Sequence, residues 1–196
     1  MTKKWPASDV RLLAELGVRH IGENRQQEAA AKYAEVGPSE LVWHFIGQLQ
    51  TNKAKHVARF ADQVDTVDRP SLVTALAKGA AAADRGLGVL VQVSLDPNPD
   101  PGRGGAAPEA VLELADMVAD TDGLELLGVM GVAPLDADPA PPFDLLAGIA
   151  HRVRAQHPAA VQLSAGMSHD LEAAIAAGAT HVRVGTALLG SRPSLG

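Results

Sequence analysis

Two turns late in the chain carry the residues best suited to hold an anion. The stretch "GMSHDLEAAIAAGATHVRVGTALLG", residues 166–190, sets Gly166–Ser168 before one helix-forming run and Gly185-Thr186 before another. Glycine lets a ligand approach the backbone closely, neighbouring amides point at negative charge, and serine and threonine hydroxyls add donors. The same turns would serve as plain caps of strands and helices. Between them stands Arg183, in "HVRVG". Side chains alternate along a strand, so if Val182 and Val184 face outward, His181, Arg183 and Gly185 face inward. An inward guanidinium needs an acceptor, either a protein carboxylate or a group on a ligand. A phosphate-bearing ligand with a ring acceptor would satisfy the turns and the arginine together.

The elements that must position these groups follow from an alternation of short β-branched runs with Ala- and Leu-rich stretches of helical length. Strands are predicted at Val18–Gly22, His44–Gly47, Val64–Val67, Val89–Ser94, Leu126–Met130, Val161–Ser164 and His181–Gly185. Helices are predicted at Ala7–Leu16, Gln26–Glu35, Asn52–Phe60, Ser71–Ala83, Pro108–Ala119, Phe143–Gln156 and Asp170–Ala177, with start signals at Ser8-Asp9, Ser71 and Pro108-Glu109. Repeated β–α units imply a parallel sheet, either open or closed into a (β/α)8 TIM-type barrel. Closure needs a further strand before Ala7, where "MTK" leaves almost none of it, so the first strand is expected to be mostly missing. In such barrels a phosphate commonly sits against the loops after the seventh and eighth strands, the positions of the two turns.

At 196 residues the chain is expected to form one domain over 1–196. Hydrophobic residues make up 46% and charged ones 20%, and no window reaches roughly 18 uninterrupted apolar residues, which argues against a membrane span. A formal charge of -6 with scattered Lys and Arg argues against a nucleic-acid partner. The absence of cysteine excludes disulfides and thiolate metal sites, and "MTKKWPASDV" lacks the apolar core of a secretory leader. A cytoplasmic protein is expected. His20, His56, His151, His157 and His169 show no metal-ligand spacing, and Asp96, Asp100, Asp136 and Asp138 are read as solvated loop carboxylates, so no metal is expected.

Four segments, "HIGENRQQEA", "WHFIGQLQTNK", "LSAGMSHDLEAAI" and "VRVGTALLGSR", closely resemble the pyridoxal phosphate homeostasis proteins of the YggS/PROSC type, and "MTKKWP" resembles the end of their lysine-bearing motif. The resemblance spans essentially the whole chain. It implies a barrel like the N-terminal domain of alanine racemase without that enzyme's second domain, with pyridoxal 5′-phosphate (PLP) as the ligand. It also implies a typically monomeric protein of intracellular vitamin B6 homeostasis that holds PLP as a lysine Schiff base without significant turnover, with PLP-dependent apoenzymes as possible recipients. Carried over by position, Lys3 matches the Schiff-base lysine, whose amine must be neutral when it attacks. Lys4 is expected to point away. Arg183 matches the arginine facing the pyridine nitrogen. Ser168, Gly185 and Thr186 match the phosphate cradle with Ser164 and Met167 beside it, and Asn24 and His44 are expected near the ring.

Relatives carry a leading helix and a full strand ahead of the lysine. With Lys3 third in this chain, phosphate and Arg183 contacts are expected to survive and Schiff-base formation to be weakened. A PLP-dependent racemase is the alternative, although racemases take a second catalytic base from an extra domain, and the chain's single tyrosine, Tyr33, falls on a predicted helix. A sugar-phosphate barrel enzyme without PLP is a third reading, since barrels host many chemistries.

Overall fold

The computed structural model describes residues 1–96, 104–135 and 137–190, so Asp100, Asp136 and the Ser191-Arg192 end of the last motif lie outside it. Its strands are β1 (His20–Glu23), β2 (Val42–Phe45), β3 (Gln63–Val67), β4 (Leu87–Val93), β5 (Leu124–Gly131) and β6 (Gln162–Ser164), all parallel and paired in chain order. The α-helices are α1 (Ala7–Glu15), α2 (Gln26–Val36), α3 (Ala54–Val57), α4 (Pro70–Ala83), α5 (Val111–Ala119), α6 (Ala140–Gln156), α7 (Leu171–Ala176) and α8 (Thr186–Leu189). Spacing explains which face each helix buries. In α4, Leu72, Val73, Leu76, Gly79 and Ala80 are buried, and in α6 Phe143, Leu146, Ile149 and Val153, both at helical period. Ser71 does not cap α4: Arg69 takes the cap position and Pro70 the first turn, where the missing N–H costs nothing.

Several expected boundaries shift. β2 begins two residues early because its ladder with β1 starts at His20 opposite Val42. Gly47 leaves that strand because its backbone presses on Asn24, whose carbonyl oxygen would lie 2.1 Å from any added Cβ. The helix expected at Asn52–Phe60 shortens to α3, preceded by a 3₁₀ turn at Thr51–Lys53. The strand expected at His181–Gly185 is an extended segment with one bridge, His181 to Ser164. It bonds to β6 and the turn beyond it through His181 N–H to Leu163 O, Ala165 N–H to His181 O and Arg183 N–H to Gly166 O, and among the described residues no strand pairs with its other edge.

The sheet curls round on itself. Gln63 of β3 donates to Gln162 of β6 at 3.0 Å, and the rings of His20 on β1 and His181 lie 5.9 Å apart. Six flat strands would hold their outer members roughly 24 Å apart at the usual spacing. Residues 1 and 2 stand between the two edges: the Met1 ammonium donates to Val184 O at 2.8 Å, and Thr2 N–H to Gly22 O at 3.1 Å. The hydrophobic core fills the layer between strands and helices, with Phe45, Val64, Val91, Val129 and Leu146 among its members. The lumen carries polar side chains among apolar ones, with His44, Gln63, Asp65 and Ser164 buried around it.

Candidate functional site

β6 ends at Ser164 and the chain turns sharply at Gly166, whose φ of +85° is strained for any side chain. A Cβ there would also lie 2.6 Å from that of Ala174 on α7. Asp170, at the start of α7, accepts the Met167 N–H at 2.5 Å and fixes the shape of the Met167–Ser168 turn. The second turn lies beside the first, with Arg183 N–H donating to Gly166 O at 2.9 Å and Ala187 N–H to Ser168 Oγ at 3.4 Å. Within α8, Leu188 and Leu189 both donate to Gly185 O, so Thr186 and Ala187 keep first-turn amides with no helical acceptor.

These turns open on a cavity of about 210 Å³ lined by Lys3, Met167, Ser168, Arg183, Gly185 and Thr186. One face thus joins an amine, a guanidinium and two hydroxyls. Met1, Trp5, His169 and Gly190 line it too. Sequence reasoning gives these four no part in the site, although all four lie inside the family-like segments, and it weighs His169 only as a metal ligand. Lys4, next to Lys3, is exposed and does not line the cavity.

Arg183 is held from behind by neutral oxygens. One terminal nitrogen donates to Ser164 Oγ and the other to Gly131 O, each at 2.9 Å. Among the described residues it forms no ion pair, so the carboxylate partner left open by the sequence is not in contact. Burial pulls its pKa below the usual guanidinium value, and the fields of Asp65 and Asp170 push it back up. The remaining N–H groups of its fork are left for an acceptor in the cavity.

Ser164 therefore supports Arg183 and does not line the 210 Å³ cavity. His44 sits deeper, on an adjoining lumen cavity of about 190 Å³ that also reaches Arg183, Ser164, His20 and His181. Its Nδ1 lies 3.2 Å from Asp65 Oδ1 and its Nε2 2.9 Å from His20 Nδ1. In a neutral ring the first contact donates to the carboxylate and the second accepts from His20. Burial lowers the pKa of both His20 and His181, the nearby His44 lowers them further, and Asp65 opposes. Asn24 borders a separate depression beside α2, and its buried side-chain oxygen has no hydrogen-bond partner. The structure thus brings Lys3, Met167, Ser168, Arg183, Gly185 and Thr186 together, with Ser164 and His44 behind Arg183 and Asn24 apart.

The profile of the family described as "Alanine racemase, N-terminal domain" matches residues 7–193. The chain belongs to this family. Among its relatives, the pyridoxal phosphate homeostasis protein of Mycobacterium bovis is 49% identical over 211 aligned positions, covering 98% of this chain and 81% of the relative. The protein of the same name from Escherichia coli K12 is 36% identical, covering 98% of this chain and 84% of the relative. The solved structure of PipY from Synechococcus elongatus PCC7942 with PLP bound superposes with a TM-score of 0.86 at 34% identity, covering 96% of this chain and 90% of that one. Alanine racemase of Clostridium difficile 630, at 16% identity and a TM-score of 0.75, covers 96% of this chain and 49% of its own, a likeness of fold. The curled parallel sheet is therefore the family's α/β TIM-like barrel.

Proposed function

We propose that this chain binds PLP and serves intracellular PLP homeostasis as one barrel domain, a cytoplasmic monomer that holds the cofactor without significant turnover and yields it to PLP-dependent apoenzymes. The observation that carries the reading is the convergence of Lys3, Arg183, Ser168 and Thr186 on a single cavity. The names of the relatives and the PLP-bound PipY structure support it. Among the described residues no helix is long and apolar enough to cross a membrane.

The donor set fits the cofactor's three polar groups. The hydroxyls of Ser168 and Thr186, with the Thr186 N–H at the start of α8, suit a phosphate dianion. The Lys3 amine is the nucleophile for an aldehyde, and the free side of Arg183 suits the ring nitrogen. When bound, PLP supplies an aldehyde that an amine captures reversibly and a ring that withdraws electrons. A permanent cation at the ring nitrogen keeps a proton off that atom and so weakens the withdrawal, which suits holding the cofactor over turning substrate over. Ser164 and the Gly131 carbonyl aim the guanidinium, and Met167 walls the cavity.

The lone tyrosine favours the same reading. Tyr33, half-buried, packs edge-on against Trp43 at the margin of the core with ring centroids 5.4 Å apart, and does not line the cavity. One observation supports a racemase-like second reading: His169 lines the cavity and could move a proton. Two measurements decide. With PLP added, the absorbance spectrum is expected to shift and borohydride to fix the label on Lys3 in a peptide map. In a racemisation assay with several amino acids, no turnover at ordinary enzyme rates is expected. An unshifted spectrum together with no binding of pyridoxine 5′-phosphate overturns the ligand, and fast racemisation that is lost in His169→Ala overturns the carrier role in favour of an enzyme.

A further inference from the structure

Lys3 sits in a turn that local sequence does not favour. Trp5 N–H donates to Thr2 O at 3.0 Å, so Lys3 and Lys4 are the central residues of a four-residue turn, and Lys4 has a φ of 68°. That geometry asks for glycine or asparagine at the second central position. A lysine persists there only if its surroundings over-determine the backbone.

They do so through a buried charged cluster on β1 and α2. Lys32 Nζ donates to Thr2 O at 2.9 Å and pairs with Glu23 Oε1 at 2.5 Å. The same carboxylate oxygen accepts Thr2 Oγ1 at 2.6 Å, and Glu28, one turn before Lys32, accepts the Lys4 N–H at 2.5 Å. Glu23 and Thr2 are 0% exposed and Lys32 6%. A buried ion pair is costly to desolvate, and here Glu23 Oε2 has no hydrogen-bond partner, so an apolar pair would pack there at lower cost. Each bond to residues 2 to 4 fixes the backbone on one side or the other of Lys3. None of them touches the turns that hold Ser168 and Thr186.

We propose that Lys32, held by Glu23, is a positioning residue for the cofactor's aldehyde: through Thr2 it holds the turn that points the Lys3 amine into the cavity, while leaving the phosphate and ring contacts untouched. Glu28 completes the clamp from the other side of Lys3. The proposal rests on the reading of Lys3 as the amine that captures PLP.

The test separates capture from binding. Pyridoxine 5′-phosphate keeps the phosphate and ring of PLP but carries an alcohol that no amine can capture. The variant K32M/E23Q removes both charges together, so that neither is left buried alone. It is expected to bind pyridoxine 5′-phosphate within about threefold of the parent chain, while the rate of borohydride-trappable capture at Lys3 falls by about 10- to 100-fold, the loss that a displacement near 1 Å produces. Lys32→Arg, which keeps a cation and donors, is expected to recover most of the rate. Unchanged capture in K32M/E23Q overturns the proposal. So does an equal loss of both quantities, because the cluster would then support the whole site. Should that variant fail to fold, Glu28→Ala, which removes the acceptor of the Lys4 N–H at the half-buried end of the clamp, reads the same split, and a parallel fall in both quantities, or none, overturns the proposal. If the parent chain binds pyridoxine 5′-phosphate but traps nothing at Lys3, the clamp idea falls and cofactor binding stands. If it binds neither ligand, the PLP reading itself falls.

Discussion

Arg183 shows what a single side chain contributes. Its cation is held by two neutral acceptors, Ser164 Oγ and Gly131 O, so it is oriented without being neutralised by contact. Arg183→Met would leave that carbonyl and hydroxyl without their donor inside the barrel. A loss of about 1–3 kcal/mol in urea unfolding is expected from the unmade bonds, together with at least about a tenfold loss of PLP affinity by titration, since a charge-assisted contact of about 1.5–3 kcal/mol goes with it. Lys4 offers a change of the opposite sign. Its left-handed backbone costs about 1–2 kcal/mol in an L-residue, so Lys4→Gly is expected to raise stability by up to about 1 kcal/mol after the extra chain entropy of glycine. An unchanged or lower urea midpoint would mean that the strain assigned to Lys4 is not there. The inward direction of Arg183 was legible from strand alternation. The acceptors were not, because Gly131 lies 52 residues away in sequence.

Among the elements, the turn after β6 depends on its glycine more than on its hydroxyls. Gly166→Ala meets both a φ of +85° and the Ala174 methyl at 2.6 Å, and the turn can relieve neither without moving Met167 and Ser168. Expected are a destabilisation of about 1–3 kcal/mol and a weaker affinity for pyridoxine 5′-phosphate, both measurable on the same preparation. The expected destabilisation with unaltered affinity for pyridoxine 5′-phosphate would show that the turn is scaffold only. The order of strands and helices could be read from alternating periods, since each period reports a burial pattern that local sequence carries. The segment at His181–Gly185 reads as a strand for the same reason. It is not one because a strand needs partners, and beyond β6 it has one hydrogen bond to Met1 on its other edge.

At the scale of the molecule, the lumen histidines make stability depend on pH. His20 and His181 have folded pKa values below the ordinary 6.5, chiefly through burial. Below pH 6.5 the unfolded chain therefore binds more protons than the folded one, so protonation favours unfolding. Stability from these two rings is present above 6.5 and is lost as pH falls through that value toward the folded pKa values. Urea midpoints measured from pH 7.5 down to 5 should fall, and His181→Asn should flatten the fall. An equal slope in that variant would assign the pH dependence elsewhere. Curling brings these rings together, and nothing in a list of separated histidines announces it.

The sequence by itself determined what depends on neighbours along the chain: the parallel β–α alternation, the two glycine turns, the inward side of Arg183, and motifs whose resemblance named a ligand class. The tertiary structure alone decided what depends on closure. Only when the sheet curls do Lys3, near the start, and Ser168, Arg183 and Thr186, near the end, line one cavity. Closure also sorted the other candidates, drawing His44 into a lumen network with Asp65 and His20 and leaving Asn24 against Gly47. It buried Glu23 of β1 and Lys32 of α2 against Thr2 as well, a charged pair to which the sequence reading assigned no role. The physical reason is the same in each case: local propensity sets direction and period, whereas burial, and the pairing that buried charge requires, exist only after distant segments meet.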